Sequence, residues 1–167
     1  MRSSEDFLLS DEIHPIDLVE TLASHHDWEF DRVADDQIAM AVVGQWRTYS
    51  ITLAWSGFDE TLRLICTFEM EPPPERLPAL YEALNATNDM CWAGAFTFWR
   101  DQRLMVWRHG LMLSGGQTAS PEQVDQLIHA AVSSCERFYP AFQLVVWADR
   151  TPANALQVAI ADAFGRA

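Results

Sequence analysis

The side chains able to do chemistry in this chain are few and widely spaced. Five histidines are present: His14, His25, His26, His109 and His129. No two stand at i and i+4 and no Cys-x-x-Cys occurs, so the spacing predicts no metal site. His25 and His26 project about 100° apart on a helix, in a last turn where a cation suits the dipole. Cys66, Cys91 and Cys135 are odd in number and far apart in sequence, each in an apolar context. They read as buried free thiols, not as a disulfide framework or a nucleophile. All eleven cations are arginine. Without lysine there is no Schiff-base residue, phosphate-loop lysine or serine–lysine pair. No Gly-x-Ser-x-Gly elbow occurs. Ser114-Gly115-Gly116-Gln117 joins a strand to a helix but lacks the remaining glycine of a dinucleotide loop. Asp35-Asp36 and Asp59-Glu60 read as turns, where aspartate is favoured by local hydrogen bonds. The sequence therefore predicts no catalytic residue and no cofactor. The best set for a small enzyme is His109, Arg108 and Glu69, all on predicted strands.

Charge narrows the partners. The 167 residues hold 24 acids against 11 bases, a net charge of −13. Residues 1–36 carry eleven acids and only Arg2 and Arg32. The arginines are scattered singly, without the cationic patch that releases counterions from nucleic acid. An anionic membrane surface is disfavoured for the same reason. No apolar run is long enough to span a bilayer. The acidic start lacks the apolar stretch of a signal peptide. With the odd cysteine count, this predicts a cytoplasmic protein.

The elements that must position these groups follow from periodicity. Residues 1–13 read as an acidic arm with a small apolar knot at Phe7, Leu8 and Leu9. Residues 14–167 read as one domain. Pro15 suits a first helical turn, and Leu18, Val19, Leu22 and Ala23 extend a helix over about 15–26. The period then becomes two. Trp28 and Phe30, Ile38 to Val42, Tyr49 to Trp55 and Leu62 to Met70 give a four-strand antiparallel meander with one buried face. After Pro72-Pro73-Pro74 comes a helix over about 75–88. A hairpin follows, Phe96 and Phe98 leading out and Met105, Trp107, His109 and Leu111 returning. Ser120, Pro121 and Gln123 form a capping box, opening a helix that Pro140 is expected to kink or break. Residues 142–147 read as helix, and a last helix starts at Pro152. The order α-ββββ-α-ββ-α(α) is an α+β single domain, an antiparallel sheet flanked by helices mainly on one face.

Seven tryptophans and nine phenylalanines exceed what one small core readily holds. Trp46 and Trp99 fall off-phase with the apolar positions of their strands, on the sheet's second face. Either helices cover that face or another chain does.

With the elements in place, the chain resembles the YbjN family, a bacterial group described as sensory transduction regulators. Pro15-Ile16-Asp17-Leu18-Val19 with Trp28-Glu29-Phe30-Asp31-Arg32 is similar to the family's first helix and strand. Ser120-Pro121-Glu122-Gln123-Val124 is similar to the start of its long helix. The most specific stretch, Cys135 to Gln143 (CERFYPAFQ), is similar to its C-terminal signature. The resemblance implies an architecture like that of type III secretion chaperones, usually dimeric, in a bacterial cytoplasm. It brings no catalytic residues. The functional expectation is a non-enzymatic protein-binding module, chaperone-like or regulatory, with an unidentified protein partner. A homodimer is expected through Trp46, Phe96, Phe98, Trp99, Met105 and Trp107. A strand edge for a partner is expected at Trp28, Phe30 and Asp31.

Overall fold

Alternation of buried and open side chains along six strands dictates the architecture. A computed structural model of the chain describes residues 13–165. The acidic arm expected over residues 1–13 therefore lies, except for Ile13, outside the described residues. Helix α1, Pro15–His25, is followed by strands β1, Glu29–Ala34, β2, Gln37–Val43, β3, Thr48–Ser56, and β4, Thr61–Glu69. A 3-10 turn at Pro74–Arg76 leads into α2, Leu77–Asp89. Then come β5, Ala95–Trp99, β6, Leu104–Met112, α3, Pro121–Trp147, and α4, Pro152–Gly165. The strands form one antiparallel sheet in the order β1-β2-β3-β4-β6-β5. This is the α+β domain the periodicity predicts.

Local signals explain the helix starts. The N–H of Ile16 donates to His14 Nδ1 at 3.1 Å, so His14 caps α1. At α3 the N–H of Gln123 donates to Ser120 Oγ at 3.1 Å, and the N–H of Ser120 to Gln123 Oε1 at 2.9 Å. That reciprocal pair satisfies two donors a helix start otherwise leaves free. At the far end of α3, Arg76 donates to the carbonyls of Val145 and Arg150 and pairs with Asp149. A cation there complements the negative helix terminus.

Of the two outcomes expected at Pro140, a kink or a break, the break does not occur. Helix α3 runs unbroken through this residue to Trp147. Proline removes one intrahelical donor and costs about 3 kcal/mol. Just beyond it, Ala141, Phe142, Val145 and Val146 are all buried. Burying three large side chains at about 1.5–3 kcal/mol each outweighs that cost.

The core lies between the helices and one face of the sheet. Ile38, Met40, Tyr49, Ile51, Leu53, Leu62, Leu64, Cys66, Phe68, Met105 and Trp107 are buried there with α1, α3 and α4. Phe96 meets Phe138 and Phe142 edge-on at 5.8 and 5.2 Å between ring centroids. Among the described residues no helix is long and apolar enough to cross a membrane.

Cys66 and Cys135 meet inside this core, Sγ to Sγ at 3.7 Å, and both are free and buried. The Cys66 contact and then burial hold the Cys135 thiol well above its ordinary value. Burial also raises the half-exposed Cys91. A thiol-specific chromogenic reagent is expected to titrate only Cys91, slowly, in native protein, and all three thiols after unfolding. Rapid reaction of all three in native protein would show that the buried pair is misplaced.

Candidate functional site

The second face of the sheet carries no helix among the described residues. Register places Ala39, Ala41, Ser50, Thr52, Ala54, Ile65, Thr67, Val106 and Thr97 together on it. These are small or β-branched residues that favour pleated backbone. Most are half-exposed, whereas Val106 at the centre is fully buried. Trp99 lies on this face, half-buried. Thus the off-phase tryptophan of β5 does mark the second face.

The rest of the interface expected from sequence needs correction. Phe96, Met105 and Trp107 are at most 3% exposed and belong to the core. They alternate onto the helix-covered face, so a second chain cannot touch them. Phe98 packs partly buried against the same core. Trp46 stands 46% exposed in the β2–β3 turn, where its backbone N–H donates to Glu136 Oε1. Burial first, then the Glu136 carboxylate, raises the Tyr49 phenol far above its ordinary value.

β1 is one outer strand of the sheet. Trp28 stands one residue before it and stacks on His26 at 4.4 Å. Phe30 is 37% exposed and Asp31 is exposed. A register shift between Arg32 and Ala34 bends this strand. Arg32 ties it to α1 through Asp17 and Glu20 at 2.8 and 3.0 Å. Edge charges and bulges are the features by which sheets resist a further strand.

The other side of the sheet is built differently. β4 accompanies β6 along its whole length, from Thr61↔Met112 to Glu69↔Leu104. β5 accompanies it only from Leu104 to Arg108. The chain leaves the sheet at Gly94, which has φ +73°. A Cβ there would stand 2.1 Å from Trp107 Cζ2, so only glycine lets this backbone lie on the indole. The Gly94 N–H donates to His109 Nδ1 at 3.1 Å, leaving Nε2 to carry the proton of the neutral ring. The indole N–H of Trp107 is buried without a partner.

Asn88 on α2 covers the outer edge of β5. Its Oδ1 accepts from the Phe96 N–H at 2.7 Å, and its Nδ2 donates to the Phe96 carbonyl at 3.0 Å. Sequence reasoning missed Asn88, because an asparagine inside a helix carries no local signal of a distant strand.

Two hollows flank the uncovered end of β6. One, about 410 Å³, is lined on the helix side by Ala93, His109, Leu111, Glu122, Leu127 and Ala130 among others. The second, about 560 Å³, holds Arg63, Ile65, Ala95, Trp99, Arg108 and Gly110. Arg63 pairs with Asp59 at 2.7 Å. That guanidinium, then Ser56, holds the Asp59 carboxyl below its ordinary range.

The residues named for a small enzyme do not converge. Arg108 is on the bare face and His109 on the opposite one. Glu69 is five residues along β4 from Leu64, the partner of His109. At about 3.4 Å per residue that is roughly 17 Å. Among the described residues no three histidine, cysteine or carboxylate side chains gather where they could hold a metal ion.

Comparison with known proteins adds a family and a fold. Residues 15–144 match the family YbjN, described as "Putative bacterial sensory transduction regulator". No curated protein matches. Among solved structures the chain is similar to one titled "Crystal structure of YbjN, a putative transcription regulator from E. coli". The two are 12% identical, with a TM-score of 0.52 over 90% of this chain and 93% of that one. At that identity the likeness concerns the fold.

Proposed function

The chain belongs to the YbjN family, and from that premise we propose that it is a non-enzymatic cytoplasmic regulator that works by binding another protein against the bare face of its sheet. One observation carries the reading: a six-stranded sheet with helices on one face and mostly small, uncharged side chains on the other. A sheet face of this composition packs closely against a second layer, about 10 Å away. The surrounding acidic surface keeps the protein soluble while that face stays open.

The test is a charge placed in the middle of the face. Thr52→Arg alters a half-exposed position on β3, so stability is expected to change by about 0.5 kcal/mol or less. The protein partners captured by wild type are expected to be lost. A well-folded Thr52→Arg protein that captures the same partners would overturn the reading.

A homodimer is part of this proposal. Its seat is the small-residue half of the face, Ala39, Ala41, Ser50, Thr52 and Ala54, so a second copy and the partner compete for the same patch. Light scattering is expected to read twice the 19.0 kDa of one chain. A mass of 19.0 kDa at every concentration removes the dimer and leaves partner binding standing.

A further inference from the structure

Hydrogen-bond alternation fixes which backbone groups are free at the end of β6. Phe96 spends both its N–H and its C=O on Asn88. Phe96 and Trp107 are therefore a non-hydrogen-bonded pair, and Ala95↔Arg108 and Thr97↔Val106 are the pairs that exchange bonds. On β6 it is then the even-numbered residues that point toward β5. Past Arg108, β5 has ended. The N–H and C=O of Gly110 and Met112 are left facing outward, along a strand whose other edge is fully paired with β4.

The side chains continue the same pattern. Leu111 lines the helix-side hollow, Arg108 and Gly110 line the hollow on the bare face, and His109 touches both. An added strand would place alternate side chains into these two hollows, because strand side chains alternate with period two. Their chemistries differ. The bare-face hollow holds Arg63, already paired with Asp59 at 2.7 Å, and Arg108, and no carboxylate lines it. The Arg108 side chain is exposed and has no ion pair or hydrogen bond among the described residues. This cationic spot stands out on a chain of net charge −13. The helix-side hollow is mainly apolar, with Leu111, Leu127, Ala93 and Ala130, and Glu122 beside them repels a carboxylate. Met112 on this edge is 78% exposed.

We propose that the open edge of β6 at Gly110–Met112 receives an extended segment of a partner protein as an added strand, with acidic and apolar residues alternating along it. Its acidic side chains meet Arg108, beside the Asp59-paired Arg63, and its apolar ones enter the hollow lined by Leu111 and Leu127. Backbone bonds to Gly110 and Met112 give affinity, and the paired hollows give selectivity. The inference rests on the protein-binding reading above and names the class of partner.

The probe is a fluorescein-labelled eight-residue peptide of alternating glutamate and valine, titrated with the full chain by anisotropy. A second peptide has lysine in place of glutamate. The acidic peptide is expected to bind at least tenfold more tightly. Arg108→Glu is expected to weaken it at least tenfold. Met112→Pro removes an outward N–H but no bond to β4, and proline is tolerated at such an edge. It is expected to melt like wild type and to weaken the acidic peptide at least tenfold. Loss with Arg108→Glu but not with Met112→Pro would mean plain charge attraction and overturns strand addition. No binding of the acidic peptide by a chain whose Thr52→Arg variant still loses its partners overturns this edge and spares the bare-face reading. A photo-crosslinking phenylalanine replacing Met112 identifies the occupant. Capture of the peptide supports the proposal, whereas a chain-to-chain crosslink with peptide present assigns the edge to a second copy and overturns it.

Discussion

Gly94→Ala is expected to lower the melting temperature by roughly 4–20 °C. Two costs act together. The backbone stands at φ +73°, where a side chain costs about 1–2 kcal/mol. The new methyl would also stand 2.1 Å from one carbon of the Trp107 ring and 2.2 Å from the next. That indole is fully buried, and overpacking a filled core costs about 1–3 kcal/mol. The sum is about 2–5 kcal/mol, and each kcal/mol is worth about 2–4 °C in a chain this long. Gly115 supplies the control. It has φ +79° but nothing within 4 Å of a built Cβ, so Gly115→Ala carries the conformational cost alone, roughly 2–8 °C. In a Trp107→Leu background Gly94→Ala should cost less than in wild type, since the clashing ring is gone. Calorimetry placing Gly94→Ala within about 1 °C of Gly115→Ala would show that the ring contact is not tight.

These two glycines mark where the sequence was legible and where it was not. Period two along Ile38, Met40 and Val42 or Leu62, Leu64 and Cys66 reports a local alternation, so strands, their order and the covered face could be read directly. The Ser120–Gln123 capping box is local in the same way. Gly94 looked like any loop residue, because its constraint comes from Trp107, thirteen positions later and on another strand. Pro140 does not end its helix for the converse reason: its local cost is real, but buried Phe142, Val145 and Val146 outweigh it. Off-phase tryptophans and the dimers of similar folds point to the strands carrying Phe96, Met105 and Trp107 as an interface, yet these three side chains lie in the core. Composition cannot say which face of a strand is covered, whereas their register with Cys66 and Phe68 does. The uncovered end of β6 was invisible in sequence, since it depends on β5 stopping four residues short of its neighbour.

Asn88→Ala is expected to cost roughly 2–4 kcal/mol, or about 4–16 °C in melting temperature. The amide satisfies both backbone groups of Phe96, a residue only 3% exposed. Removing it leaves a donor and an acceptor unpaired near the core, at about 1–3 kcal/mol each, with some relief from water at this half-buried site. Asn88→Asp keeps an acceptor for the Phe96 N–H but loses the donor to its carbonyl, so it should fall between wild type and alanine. Hydrogen exchange separates this from general loosening. The Phe96 amide should lose protection in Asn88→Ala under conditions where the Val106 amide, inside the sheet, keeps it. A second consequence concerns the sheet edge. With Asn88 gone, the outer side of β5 becomes a row of free backbone groups, the kind of edge that recruits other chains. Concentration-dependent light scattering is expected to rise in Asn88→Ala. The same amide anchors the alternation that turns Gly110 and Met112 outward on β6. If Asn88→Ala melts within about 1 °C of wild type and Phe96 stays protected, Phe96 must bond to Trp107 instead. The outward groups would then be those of His109 and Leu111, and Met112→Pro would break the ladder to β4 instead of sparing it.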